Sequence, residues 1–185
     1  MLIFTDITEM KKLQNKLEYF AYYDELTNIF NRRAFFKYTK SAFMEEKKQF
    51  TVILFDIDYF KYVNDTYGHY SGDLVLSELS RQIQEITPAQ CIFARYGGEE
   101  FILALPGRSV EEGLQLAEMI RKKIEVHLFS IEDGSITITI SMGVAGTDLP
   151  AGEFTLEELL NRADKALYIA KESGRNQVQV DKDVF

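Results

Sequence analysis

Asp56 and Asp58 sit one residue apart at the end of FTVILFDIDYF, a run apolar enough to be a buried strand. Alternate strand residues point to the same face, so the two carboxylates share a side. Glu99 and Glu100 follow Gly97 and Gly98 in RYGGEEF, a like-charged pair beside the most flexible backbone in the chain. Carboxylates gathered at the end of a buried strand lose hydration and repel one another unless a positive charge offsets both effects. With no cysteine or histidine among them, their oxygens suit a hard divalent ion, Mg2+ or Mn2+. Such an ion commonly arrives with substrate phosphates. Candidate phosphate partners are Lys61, just past the strand, and Lys171 and Arg175 near the end of the last helical segment. In NDTYGHYSGD, Asn64 and Asp73 combine an amide with a carboxylate, a pairing able to read a base edge. A carboxylate there would accept from guanine N–H groups and so select guanine over adenine. Each feature also has a plain reading: a Gly-Gly hairpin turn with solvated glutamates, or Asp–Asn turn chemistry without a ligand.

The elements that must position these residues alternate along the chain. Asn31 is placed to cap a helix through RRAFFKYTKSAFMEEKK. FTVILFDID reads as a central strand, and DLVLSELSRQIQEI carries Val75, Leu79, Ile83 and Ile86 at helical spacing. CIFARYGGEEFILAL is two strands about a glycine turn, with Arg95 in the first. VEEGLQLAEMIRKKIEVHL predicts a helix with Ala117, Ile120, Ile124 and Leu128 on one face. SITITISMGVAG reads as a further strand, and Thr155 with Glu158 forms a capping box for a helix that stops at Gly174. NQVQV is a last edge strand. The order β-α-β-β-α-β, preceded by a helix, predicts an α+β ferredoxin-like sandwich with a central antiparallel sheet flanked by helices.

The N-terminal residues differ from the rest. Leu2–Phe4 is a strand-like stub, and Asp6 with Glu9 marks a helix start. Met10, Leu13, Leu17 and Phe20 then recur at spacings of 3, 4 and 3, which fits a coiled-coil seam or an amphipathic helix packed on its own domain. The chain has 185 residues, 46% hydrophobic, with 14 Phe and 10 Tyr, enough for one well-filled domain plus a short extension. Its net charge of −8 argues against nonspecific binding to nucleic acid or to an anionic membrane. An anionic ligand therefore needs a local cation cluster or a metal. The single cysteine, Cys91, fits a reducing, cytoplasmic setting.

Taken together, FDIDYFKYVNDTYGHYSGD, RYGGEEF and ADKALYIAKESGRNQV resemble the GGDEF family, the diguanylate cyclases, from DELTNIFNRRAFF through GRNQV. TDITEMKKLQ resembles the exit strand and linker helix of a PAS sensor domain. The resemblance implies a polymerase-palm or nucleotidyl-cyclase type of fold. It divides the chain into a PAS remnant with a signalling linker helix (1–22) and a catalytic domain (23–185). It implies condensation of two GTP molecules into cyclic di-GMP and two pyrophosphates, across a homodimer in which each domain holds one GTP. By the same resemblance Asp56, Glu99 and the carbonyl of Ile57 hold two divalent ions, and Asp58 is structural. Asn64 and Asp73 hold guanine; Lys61, Lys171, Arg175 and the backbone around Phe60 hold phosphate. Gly97 and Gly98 leave room for the nucleotide, and Glu100 contacts metal or handles a proton. The alternative within the family is an inactive domain that binds GTP or cyclic di-GMP. Many members carry an Arg-x-x-Asp product-binding motif shortly before the glycine turn. Here Pro88-Ala89-Gln90-Cys91 stands at those positions, so high-affinity product inhibition is expected to be absent.

Overall fold

A computed structural model describes residues 7–45, 49–147 and 155–181. The expected strand stub at Leu2–Phe4 and the Asp6 cap lie outside these residues. The elements run α1 (Ile7–Tyr22), β1 (Phe30–Asn31), α2 (Arg32–Glu45), β2 (Phe50–Ile57), α3 (Phe60–Gln84), β3 (Ile92–Gly97), β4 (Glu100–Pro106), α4 (Val110–Val126), β5 (Phe129–Ile131), β6 (Gly134–Ile136), β7 (Ile140–Thr147), α5 (Leu156–Glu172) and β8 (Val178–Val180). Six strands form one sheet in the order β1-β3-β4-β2-β7-β8, and β5 with β6 forms a separate hairpin. The four inner strands are antiparallel, as the β-α-β-β-α-β order requires, whereas β1 joins β3 and β8 joins β7 in parallel. The sheet is thus mixed, with its parallel pairs confined to the two margins.

All eight residues of β2 are buried, as a strand covered on both faces must be. Their alternation feeds two cores. Ile53, Phe55 and Ile57 pack with α3, α4 and β5, while Phe50, Val52 and Leu54 pack with α2 and α5. Helix α5 lies directly on β7, because Gly143 has no side chain. A Cβ there would come within 2.1 Å of the Ala163 carbonyl and 2.3 Å of the Leu167 nitrogen. That close approach brings the last turn of α5 to the end of β2.

Several helix ends match their sequence marks. Asn31 Oδ1 accepts from the Ala34 N–H at 3.0 Å and Thr155/Glu158 closes its capping box, while Ser109 with Glu112 closes a further one that was not expected. Three expectations fail. Leu128 is not on the buried face of α4 but 64% exposed, because His127 turns to extended backbone and ends the helix. The run SITITISMGVAG is not one strand: its start pairs with β5 and its end with β2. The turn reading of NDTYGHYSGD gives way to helix: the segment is part of α3, which continues through it with a kink at Gly68 (φ 81°, ψ 157°). Among the described residues, no helix is long and apolar enough to cross a membrane.

Candidate active site

One end of the sheet collects most of the expected residues. Asp56 is the penultimate residue of β2, buried, and aligned with Glu100 on β4 and Ser141 on β7. Lys171, in the last turn of α5, donates to Asp56 Oδ2 at 3.0 Å. Burial, only partly countered by that ammonium, raises the Asp56 pKa to about 6, and the charges on Glu99 and Glu100 add to the rise. The acids are therefore close enough to repel. Lys171, expected on the phosphate side, serves here as the counter-charge of Asp56. Ile57 ends β2 and is buried opposite Ile140.

The turn between β3 and β4 carries Gly97, Gly98 and Glu99. The register is irregular between Arg95 and Gly97, and Gly97 pairs with Glu100. Gly98 has φ 43°, and a side chain there would meet only open space. The turn is clamped from a residue the sequence reading left without a role. Arg95 Nε donates to the Gly98 carbonyl at 2.9 Å, and its Nη1 donates to Asp24 Oδ1 at 3.1 Å. Asp24 Oδ1 also accepts from the N–H and hydroxyl of Thr27 at 3.0 and 2.7 Å. Burial works to raise the Asp24 pKa, but the Thr27 hydroxyl, Arg95 and the Thr27 N–H outweigh it and hold the carboxyl below its ordinary value. The spacing in DELT is the signal for this turn. Asn31 Nδ2 donates to the carbonyls of Ala21 and Tyr23, tying the same corner to the end of α1.

Asn64 and Asp73 lie on α3 on either side of the kink. Asn64 is half-buried and Asp73 exposed. Gly72 lets the Asn64 side chain lie against the helix beyond the kink. A Cβ on Gly72 would fall 1.9 Å from Asn64 Oδ1 and 3.2 Å from the Phe60 ring. Phe60 itself is buried at the start of α3, and Lys61 is exposed beside it.

Asp58 lies beyond the end of β2 and is fully engaged. Its carboxylate accepts from the hydroxyls of Thr139 and Ser141, both at 2.6 Å, and from the Asn176 N–H at 3.1 Å. Thr139, Ser141 and Asn176 were missed by sequence reasoning, since nothing local links them to Asp58. Asn176 follows Arg175, whose guanidinium lies 4.6 Å from the centre of the Tyr59 ring.

Among the described residues, no three acidic, histidine or cysteine side chains stand ready as a metal cage. The donor set nonetheless fits a hard divalent ion. Asp56 is a buried carboxylate whose charge is offset here by an ammonium, with two further glutamates acting on it. An ion that keeps waters and shares substrate phosphates needs only one or two protein carboxylates.

Residues 21–177 match the family model described as "Diguanylate cyclase, GGDEF domain". The chain belongs to the GGDEF family. This GGDEF chain is 40% identical over 181 residues to diguanylate cyclase DgcM of Escherichia coli (strain K12), covering 96% of this chain and 43% of that protein. It thus spans less than half the length of that relative. It also superposes on the coiled coil and GGDEF domain of DgcB from Caulobacter crescentus, solved with c-di-GMP, at a TM-score of 0.87 and 28% identity, covering 95% of this chain and 93% of the other. The active GGEEF domain of a diguanylate cyclase from Vibrio cholerae, spelled with the same glutamate, gives a TM-score of 0.76 at 35% identity, covering 82% and 97%.

Proposed function

We propose that this GGDEF domain is a diguanylate cyclase that condenses two GTP molecules into cyclic di-GMP and two pyrophosphates. The observation that carries the reading is the buried Asp56, raised to about 6 and balanced by Lys171, beside a Gly-Gly-Glu-Glu turn. Such a site is built for a positive charge that is not permanently there. Asp56, Glu99 and the Ile57 carbonyl would hold two Mg2+ or Mn2+ ions, and Glu100 would contact metal or handle a proton. When bound, the ions lower the pKa of the attacking hydroxyl and stabilise the pyrophosphate leaving group.

The remaining work falls to the chain's own groups. Asp73 accepts from guanine N–H groups, and Asn64, lodged against Gly72, fixes the same base edge. Lys61, Arg175 and the backbone at Phe60 hold the phosphates, and Lys171 turns to them once Asp56 is otherwise balanced. Gly97 and Gly98 let the nucleotide lie against the turn. Each GTP offers its 3′-oxygen to the α-phosphorus of the other. The new P–O bond replaces the bond to pyrophosphate, and the hydroxyl proton leaves to water or a nearby carboxylate.

One domain holds one GTP, so the reaction needs two domains face to face. Met10, Leu13, Leu17 and Phe20 on α1 are 62%, 60%, 62% and 48% exposed, which supports a dimer formed through this helix. We take residues 1–22 as linker, following a PAS-type sensor in a longer cytoplasmic protein, and 23–185 as the catalytic domain. Incubation with GTP and Mg2+, followed by chromatographic identification of the product, tests the reading. GTP bound but unconsumed by a dimeric sample would make the domain a receptor instead.

A further inference from the structure

Three residues with left-handed backbone meet beside the acidic site: Tyr59 at φ 57°, and Arg175 and Asn176 at φ 63° and 45°. Non-glycine residues seldom take this conformation, and it persists only where the surroundings dictate it. Here Asp58 dictates it. Its N–H donates to the Thr139 carbonyl at 2.9 Å, while its carboxylate holds Thr139, Ser141 and the Asn176 N–H. Asp58 precedes Tyr59 and Asn176 follows Arg175, so one carboxylate pins both corners. The second corner is also held from α4. Arg121 Nη1 donates to Asn176 Oδ1 at 2.9 Å, and Asn176 Nδ2 donates to Glu125 Oε1 at 2.7 Å.

The outcome of this bracing is the stack of the Arg175 guanidinium on the Tyr59 ring, 4.6 Å from its centre. Core packing does not account for the ring, because Tyr59 is 65% exposed. A guanidinium held by its face keeps its in-plane N–H groups free to grip a phosphate. An arginine on an exposed turn otherwise samples many rotamers and loses that freedom when it binds.

We propose that Tyr59 is a positioning residue, holding Arg175 over the start of α3 with its N–H edge presented to the incoming triphosphate. This rests on the reading of Arg175 as a phosphate-binding residue. The test is calorimetry on the whole chain with 3′-deoxy-GTP and Mg2+, since that nucleotide lacks the attacking hydroxyl, alongside guanosine, which lacks phosphate. Tyr59→Ala should weaken 3′-deoxy-GTP binding by roughly three- to fivefold, the range of an exposed cation–π contact, and leave guanosine unchanged. Tyr59→Phe should bind as wild type, and Tyr59→Asn, which suits left-handed backbone, should match Tyr59→Ala. Adding Tyr59→Ala to Arg175→Ala should cause no further loss. An additive double variant, or equal weakening of guanosine, would overturn the proposal. So would Arg175→Ala weakening 3′-deoxy-GTP while Tyr59→Ala does not. If Arg175→Ala leaves 3′-deoxy-GTP binding unchanged, the phosphate role of Arg175 fails and the role of Tyr59 goes with it.

Discussion

Replacing Asp56 by asparagine should stabilise the cation-free protein, although it removes an ion pair. Burial dominates at Asp56 and raises its pKa from 3.8 to about 6, against the pull of Lys171. An acid whose pKa is higher in the fold than in the unfolded chain takes up its proton more readily when folded, so ionising it costs stability. The cost is absent below pH 3.8 and complete above about pH 6. At about 1.4 kcal/mol per pH unit, that interval sets a ceiling of about 3 kcal/mol. Loss of the Lys171 contact is already contained in that pKa, and the ammonium, 30% exposed, can turn to water; discounting the ceiling for solvent screening leaves a gain of about 1–2 kcal/mol. For a domain of this size that is a rise in Tm of about 2–8 °C. Urea melts in EDTA at pH 8 and pH 5 measure it. At pH 5 only the interval from 3.8 upward has been crossed, so the gain should fall to about half. A variant less stable than wild type at pH 8, or a gain equal at both pH values, would refute the reasoning. Adding Mg2+ with 3′-deoxy-GTP should stabilise wild type and leave the asparagine variant behind.

Three further outcomes are expected. Asn64→Ala and Asp73→Ala should each weaken GTP binding by about 1–3 kcal/mol and relax discrimination against ATP. Gly72→Ala should reproduce the first, since its Cβ would displace the Asn64 side chain; competition titrations with ATP and GTP would expose unchanged preferences. Arg95→Ala removes the partner of Asp24 and the donor to the Gly98 carbonyl, and should cost about 1–3 kcal/mol of stability and more than about tenfold in turnover. A folded Arg95→Ala protein with full turnover would show that the glycine turn needs no clamp. Cyclic di-GMP added to progress curves should not inhibit at sub-micromolar levels, because the groove of about 290 Å³ beside Pro88 and Cys91 is lined by no charged residue. Tight calorimetric binding outside the active site would contradict this.

What the sequence made legible was whatever local chemistry decides. The continuous apolar run of β2, the glycine hairpin and the Thr155/Glu158 cap each announce themselves within a few residues. Contacts between distant segments were not legible. Nothing in FDID says that Asp56 will meet Lys171, or that Asp58 will be consumed by Thr139, Ser141 and Asn176. NDTYGHYSGD allowed a turn reading through its Asp–Asn pair, yet the residues on both sides of Gly68 pack well enough to carry α3 through the kink. The run SITITISMGVAG changes partner in its middle, and a uniform β-branched pattern carries no mark of such a change.

On the proposed function, the charge arrangement would couple the two ligands. A chain of net charge −8 must hold a polyanion beside its own carboxylates. Of the cations assigned to phosphate, Lys171 is engaged by Asp56 while the site lacks a divalent ion. Nucleotide arriving alone would therefore have to take Lys171 away from a buried carboxylate and leave Asp56 unbalanced, which favours its protonation rather than its charge. A divalent ion arriving alone would find only Asp56 and Glu100 held on strands, since Glu99 sits on the turn just before β4. On the proposed function each ligand would supply what the other lacks: the ion would balance Asp56 and free Lys171, and substrate phosphates would share in holding the ion. Reciprocity then requires that each raise the affinity of the other by the same factor. The raised pKa of Asp56 follows from its burial beside Glu99 and Glu100 with Lys171 as partial counter-charge, and on the proposed function it is this deficit that the ion would make good.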